Sequence, residues 1–124
     1  MKMLAMLAMA MTAVVLVACG GGGDDNETTL RLTADPGGAP KFDKSSLTAD
    51  AGTITIELEN PTSTGQNVAI KDQAGKVFGI TNDGEYVSNG TASVTVDLEP
   101  GNYSYYSTQP GYRDRGMQGT LTVE

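Results

Sequence analysis

From Thr28 onward, apolar residues recur at every second position. Thr53-Ile54-Thr55-Ile56-Glu57-Leu58-Glu59 alternates cleanly, placing Ile54, Ile56 and Leu58 on one face. Thr91 to Leu98 repeats the pattern, with Ala92, Val94, Val96 and Leu98 on one side. Shorter candidate strands are Leu30–Thr33, Asn67–Lys71, Val77–Ile80, Tyr103–Ser107 and Thr120–Val123. Turn signals separate them: Asp35-Pro36-Gly37-Gly38, Asp72-Gln73-Ala74-Gly75, Asn82-Asp83-Gly84, Asn89-Gly90 and Pro100-Gly101. No long segment has helical periodicity. Seven or eight short strands in about 95 residues predict an all-β, two-sheet sandwich of mostly antiparallel strands.

The first 18 residues break the pattern. A single Lys2 precedes a run of Met, Leu, Ala, Thr and Val. The run is too short to span a membrane and matches a secretory signal. It closes on Leu16-Val17-Ala18-Cys19, which resembles a bacterial lipobox. That resemblance implies cleavage before Cys19 and acylation of its thiol, with ordinary cleavage beside an incidental cysteine as the alternative. Two or more acyl chains give stable membrane anchoring. The expected partner of Cys19 is therefore a lipid membrane, and the expected location is the cell envelope, outside the cytoplasm. Five of the six methionines leave with the signal, as does Lys2, taking the formal net charge from -7 to -8. Residues 19–27 form the lipidated Cys and a Gly/Asp-rich linker, and 28–124 the folded domain. Gly20 to Glu27 extends to roughly 28 Å at most. The acidic run Asp24-Asp25-Asn26-Glu27 lacks the spacing of a calcium loop.

Composition removes whole classes of function. There is no histidine, and Cys19 is the single cysteine. Zinc sites and most hydrolytic triads need those side chains. No catalytic constellation of acid, base and nucleophile is present, so an enzyme is not expected. Eight scattered Lys and Arg against 15 Asp and Glu argue against a nucleic-acid partner.

The most specific stretch is Leu98 to Gly119. It contains Pro100-Gly101-Asn102-Tyr103-Ser104-Tyr105-Tyr106-Ser107, then Pro110-Gly111-Tyr112, then Gly116-Met117-Gln118-Gly119. Upstream, the alternating strand ends in Asn60, and Gln66-Asn67-Val68-Ala69-Ile70 follows; the chain finishes Gly119-Thr120-Leu121-Thr122-Val123. These segments, in this order, resemble the cupredoxins, the plastocyanin and azurin family of blue copper proteins. The resemblance covers roughly residues 28–124 and implies a Greek-key β-sandwich.

It also implies a copper site with two His, one Cys and one Met. Here those positions are Gln66, Ser107, Tyr112 and Met117, so three of four ligands are replaced. Type 1 copper requires a thiolate and imidazoles. Ser cannot supply that anion at neutral pH, and Tyr, with a pKa of about 10, binds poorly as phenolate. The resemblance therefore implies a scaffold without its copper, and no cofactor is expected. Gln66, Ser107 and Tyr112 are expected to bond to one another and fill the cavity. It further implies that Asn67 and Thr108 brace the loop and that Tyr103 forms a tyrosine corner. Tyr105 is expected in the core and Tyr106 beside the former site.

Two functions follow. The first is a tethered binding module that docks a protein or a small ligand, with Tyr112, Arg113 and Arg115 as the contact surface. The alternative is a copper-binding electron-transfer protein with a non-standard or partner-completed site.

Overall fold

A computed structural model describes residues 27–124. The signal segment, Cys19 and the linker through Asn26 lie outside the described residues. Among the described residues eight strands are present: β1 (Glu27–Thr33), β2 (Ser46–Ala49), β3 (Gly52–Asn60), β4 (Ala69–Asp72), β5 (Val77–Ile80), β6 (Gly90–Leu98), β7 (Gly101–Tyr106) and β8 (Gln118–Val123). They form a three-stranded sheet in the order β1-β3-β6 and a five-stranded sheet in the order β2-β8-β7-β4-β5. The pairs β3–β6, β4–β5, β4–β7 and β7–β8 are antiparallel. Two pairs, β1–β3 and β2–β8, are parallel. No helix among the described residues is long and apolar enough to cross a membrane.

The alternation in the sequence sets which face is buried. Ile54, Ile56 and Leu58 of β3 are fully enclosed, and Leu32, Val96 and Leu98 join them from β1 and β6. The second sheet contributes Ile70, Tyr103, Tyr105, Leu121 and Val123. The outward row on β3 is Thr53, Thr55, Glu57 and Glu59, whose partners on β6 are Asp97, Thr95, Ser93 and Thr91. Thr53 Oγ1 donates to Asp97 Oδ1 at 2.7 Å, Thr55 and Thr95 share a 2.9 Å bond, and Arg31 pairs with Glu57 at 2.9 Å. Burying one face of each strand at roughly 25 cal/mol per Å² of apolar surface is the main force holding the two layers together.

The structure departs from the sequence reading in several places. Strand β2 was not among the predicted strands; with four residues it is too short to show a period, and it gains its partner only by lying parallel to β8. Strand β1 starts at Glu27, one residue inside the expected linker, because Glu27 aligns with Thr53. The strand expected over Asn67–Lys71 begins instead at Ala69. The backbone N–H of Val68 is taken by the Thr81 hydroxyl at 3.0 Å rather than by a strand ladder. Asn82 and Asp83, both with φ of 54°, and Gly84, with φ of 91°, lie in the left-handed region, giving the predicted turn a tight reversed winding. The Tyr103 hydroxyl donates to the Glu99 carbonyl at 2.7 Å, the back-bond of a tyrosine corner, and the Tyr103 ring meets Phe78 edge-on at 5.6 Å.

Candidate functional site

One end of the sandwich is built by two loops and a turn. Asn60 ends β3 fully buried, and every polar atom of its amide is used. Its Nδ2 donates to the Thr64 and Val87 carbonyls, both at 2.7 Å. Its Oδ1 accepts from the Thr62 backbone N–H and from the Thr62 hydroxyl. A buried amide with four partners fixes the loop it closes, and that loop delivers Gln66. Gln66 is then held by reciprocal backbone bonds with Val87, at 3.0 and 2.9 Å.

The second loop leaves β7 at Ser107 and returns into β8 at Gln118. Its ends are tied by the Ser107 N–H to the Met117 carbonyl at 3.1 Å, and by the Met117 N–H to the Tyr112 carbonyl at 3.0 Å. Gly111 and Gly116, with φ of 84° and 117°, make the turns between them. Ser107, Tyr112 and Met117, spread over eleven residues of sequence, are thereby drawn together.

The side chains complete the arrangement. Ser107 Oγ donates to Gln66 Oε1 at 2.7 Å, with Gln66 3% and Ser107 1% exposed. Ser107 Oγ in turn accepts the Gln109 N–H at 3.1 Å. Met117 is 1% exposed and belongs to the core cluster. Tyr112 contributes its ring, which packs half-buried against that cluster, with the Arg115 guanidinium 5.3 Å from the ring centre. Asn67 Nδ2 donates to Thr108 Oγ1 at 2.7 Å, and the Thr108 N–H donates to Asn67 Oδ1 at 2.9 Å. This pair clamps the start of β4 to the end of β7.

Tyr112 is half-buried at the surface of the core cluster. Its ring covers core atoms, so truncating it removes packing as well as surface. Tyr106 is the more peripheral aromatic, with Arg113 at 4.4 Å and Lys71 Nζ at 5.4 Å from its ring centre. Beside it, Ser107, Thr108, Gln109, Pro110, Gly111, Arg113 and Asp114 line an open depression of about 410 Å³. Two contributors escaped the sequence reading. Gln109 Nε2 donates to the Gly65 carbonyl at 2.7 Å, and Tyr86 lies against Gly65 with its hydroxyl 3.4 Å from the Thr108 carbonyl. Neither carries a pattern by itself; only the approach of the two loops gives them a role.

The donor set does not fit type 1 copper. It holds an amide, a hydroxyl, a phenol and one thioether, with no thiolate or imidazole. The amide oxygen and the hydroxyl already satisfy each other. Among the described residues no cluster of three or more His, Cys, Asp or Glu is placed to hold a metal.

The profile of the copper-binding proteins of the plastocyanin/azurin family matches residues 28–124. The chain belongs to that family. Among solved cupredoxins, the reduced auracyanin of the photosynthetic bacterium Roseiflexus castenholzii is 21% identical, with a TM-score of 0.66 over 82% of this chain and 99% of its own. Auracyanin A of the green thermophilic bacterium Chloroflexus aurantiacus, described as a "blue" copper protein, is 24% identical with a TM-score of 0.68 over 79% and 99%. Reduced rusticyanin is 20% identical with a TM-score of 0.64 over 78% and 77%. At these identities the likeness shows the fold alone. Among proteins of curated function none matches the chain.

One ionisable group near the site is strongly shifted. Burial, with the nearby Asp43 charge second, pushes the Tyr105 phenol up to about 12, while its hydroxyl donates to the Lys44 carbonyl at 2.8 Å. The unfolded chain loses this proton near pH 10 and the folded one near 12. Stability is therefore expected to fall as pH rises through that window, by up to about 1.4 kcal/mol per unit. Denaturant titrations between pH 9 and 12 would show the slope, and Tyr105→Phe should remove this contribution. An unchanged slope in Tyr105→Phe would assign it to other groups.

Proposed function

We propose that this cupredoxin-family protein is a lipoprotein tethered to an envelope membrane outside the cytoplasm, whose domain has given up its type 1 copper site and serves as a binding module. The observation that supports the reading is the buried 2.7 Å bond between Ser107 and Gln66. At the two positions where the family resemblance implies Cys and His, two neutral groups are hydrogen-bonded to each other. A copper ion entering there would have to break that bond and leave a weaker donor set. Asn60, Asn67 and Thr108 still organise the loops, so the scaffold persists with a different use. Family members generally carry electrons. Without a redox centre, recognition at the loop end is the activity left to this domain.

The test is direct. Adding Cu(II) to the purified protein should give neither the intense visible band of a copper–thiolate bond nor a rise in melting temperature. Either signal would overturn the reading and favour the copper-binding alternative. For the tether, Cys19→Ser should release the protein from the membrane fraction on cell fractionation; retention in the membrane would refute lipid anchoring through that residue.

A further inference from the structure

We propose that the shoulder around Tyr106 docks a carboxylate-rich segment of a soluble protein; this rests on reading the domain as a binding module. Three cations gather at this end of an otherwise acidic chain of net charge -7. Arg113 lies 4.4 Å and Lys71 5.4 Å from the centre of one ring, Tyr106, and Arg115 lies 5.3 Å from Tyr112. Lys71 reaches Tyr106 because it pairs with Ser104, two residues away on the same outer face of β7.

None of the three has a carboxylate of the described residues within ion-pair distance. Arg31 and Lys44 do have one, Glu57 and Asp43, whereas Lys41 and Lys76 have none among the described residues either. Asp114 lines the same depression without pairing to either arginine.

The geometry suits a carboxylate. A guanidinium stacked on an aromatic ring uses its face, while its five N–H donors point outward in the plane. Bidentate binding of a carboxylate needs that edge, and stacking holds it in place before the partner arrives. The depression is open, which accommodates an extended chain better than an isolated small ion.

Orientation favours a soluble partner over the anchoring bilayer. Glu27, where β1 enters the domain, aligns with Thr53 near the start of β3, whereas the loops of the site meet its far end at Asn60. The nine residues of β3 separate these ends by roughly 27 Å. A tether joined at Glu27 therefore enters the domain at the end opposite the shoulder.

The test uses the full-length protein held in nanodiscs and a fluorescent decaglutamate peptide, with decaglutamine as control. Saturable, salt-sensitive binding of decaglutamate alone is expected. Arg113→Gln should weaken it about tenfold, and Arg113→Lys should restore only part, because the fork and the stack are lost. Arg31→Gln, which changes a cation on β1 of the other sheet where it pairs with Glu57, should have no effect. Equal affinity of wild type and Arg113→Gln, or equal binding of both peptides, would overturn the proposal. So would displacement of decaglutamate by phosphatidylglycerol vesicles, which would assign the patch to a lipid surface. Cu(II) added to the same sample separates the two readings. A blue band would sink the copper-free binding module, whereas absent colour with absent peptide binding would sink only the acidic partner.

Discussion

A chain carrying Gln66→His, Ser107→Cys and Tyr112→His is expected to take up one Cu(II) and turn intensely blue. The backbone that would hold these ligands is in place. Ser107, Tyr112 and Met117 are linked by the 3.1 and 3.0 Å backbone bonds of their loop, and the Gln66 side chain already touches Ser107 at 2.7 Å. Met117 supplies a buried thioether without change. Replacing Gln66 and Ser107 together removes both partners of one buried bond, and leaves the Gln109 N–H with the weaker sulfur acceptor of Cys in place of the Ser107 hydroxyl. The Asn67–Thr108 clamp is untouched. Bound copper should also stabilise the fold, by about 2.7 kcal/mol at a free concentration one hundred times the dissociation constant. Ser107→Cys alone, with no imidazole anywhere in the chain, should stay colourless. Metal analysis, visible absorption and thermal melting together decide the matter. A triple variant that melts cooperatively but binds no stoichiometric copper would show that these positions are not the ligand positions.

Gly119→Ala is expected to cause the largest loss of stability from a single methyl group. A Cβ at Gly119 would collide with the Tyr105 ring and its hydroxyl, and would lie 2.7 Å from the Ser45 carbonyl oxygen. Neither neighbour yields easily. Tyr105 is fully buried and its hydroxyl is bonded to the Lys44 carbonyl. The Ser45 carbonyl accepts the Thr120 N–H at 3.1 Å where β8 begins to pair with β2. Overpacking of about 1–3 kcal/mol, with the loss of the tyrosine bond at about 1, gives roughly 2–4 kcal/mol. For a domain of this size the melting temperature should fall by on the order of 10–20 °C. Tyr105→Leu clears the ring, so the double variant should be less destabilised than the sum of the singles. Strict additivity would show that the clash is not between these two residues.

Much of the fold was legible because burial follows a period of two. Thr53–Glu59 and Thr91–Leu98 alternate without interruption, and both are strands with the predicted faces inward. The short strand β2 and the start of β1 were not legible. Their residues pair in parallel with distant strands, and nothing local marks that choice. The site divides in the same way. Gln66, Ser107, Tyr112 and Met117 were named from a family pattern; Gln66 and Ser107 share a side-chain bond, and backbone bonds link Ser107, Met117 and Tyr112. The roles of Gln109 and Tyr86 could not be read, since each bonds to a backbone carbonyl of a loop whose approach exists only after folding.

By itself the sequence determined the chemistry that is missing. With no histidine and with Cys19 as its single cysteine, the chain has no imidazole at all and no thiolate within residues 28–124, whatever its shape. The order of its motifs also determined the family. Tertiary structure decided what the remaining groups do. It joined Ser107 to Gln66 across 41 residues, laid Tyr112 on the core, and left Tyr106 under two cations at the rim. Side-chain identity limits which bonds a residue can make, but contacts between residues far apart in sequence arise only when packing brings their strands together.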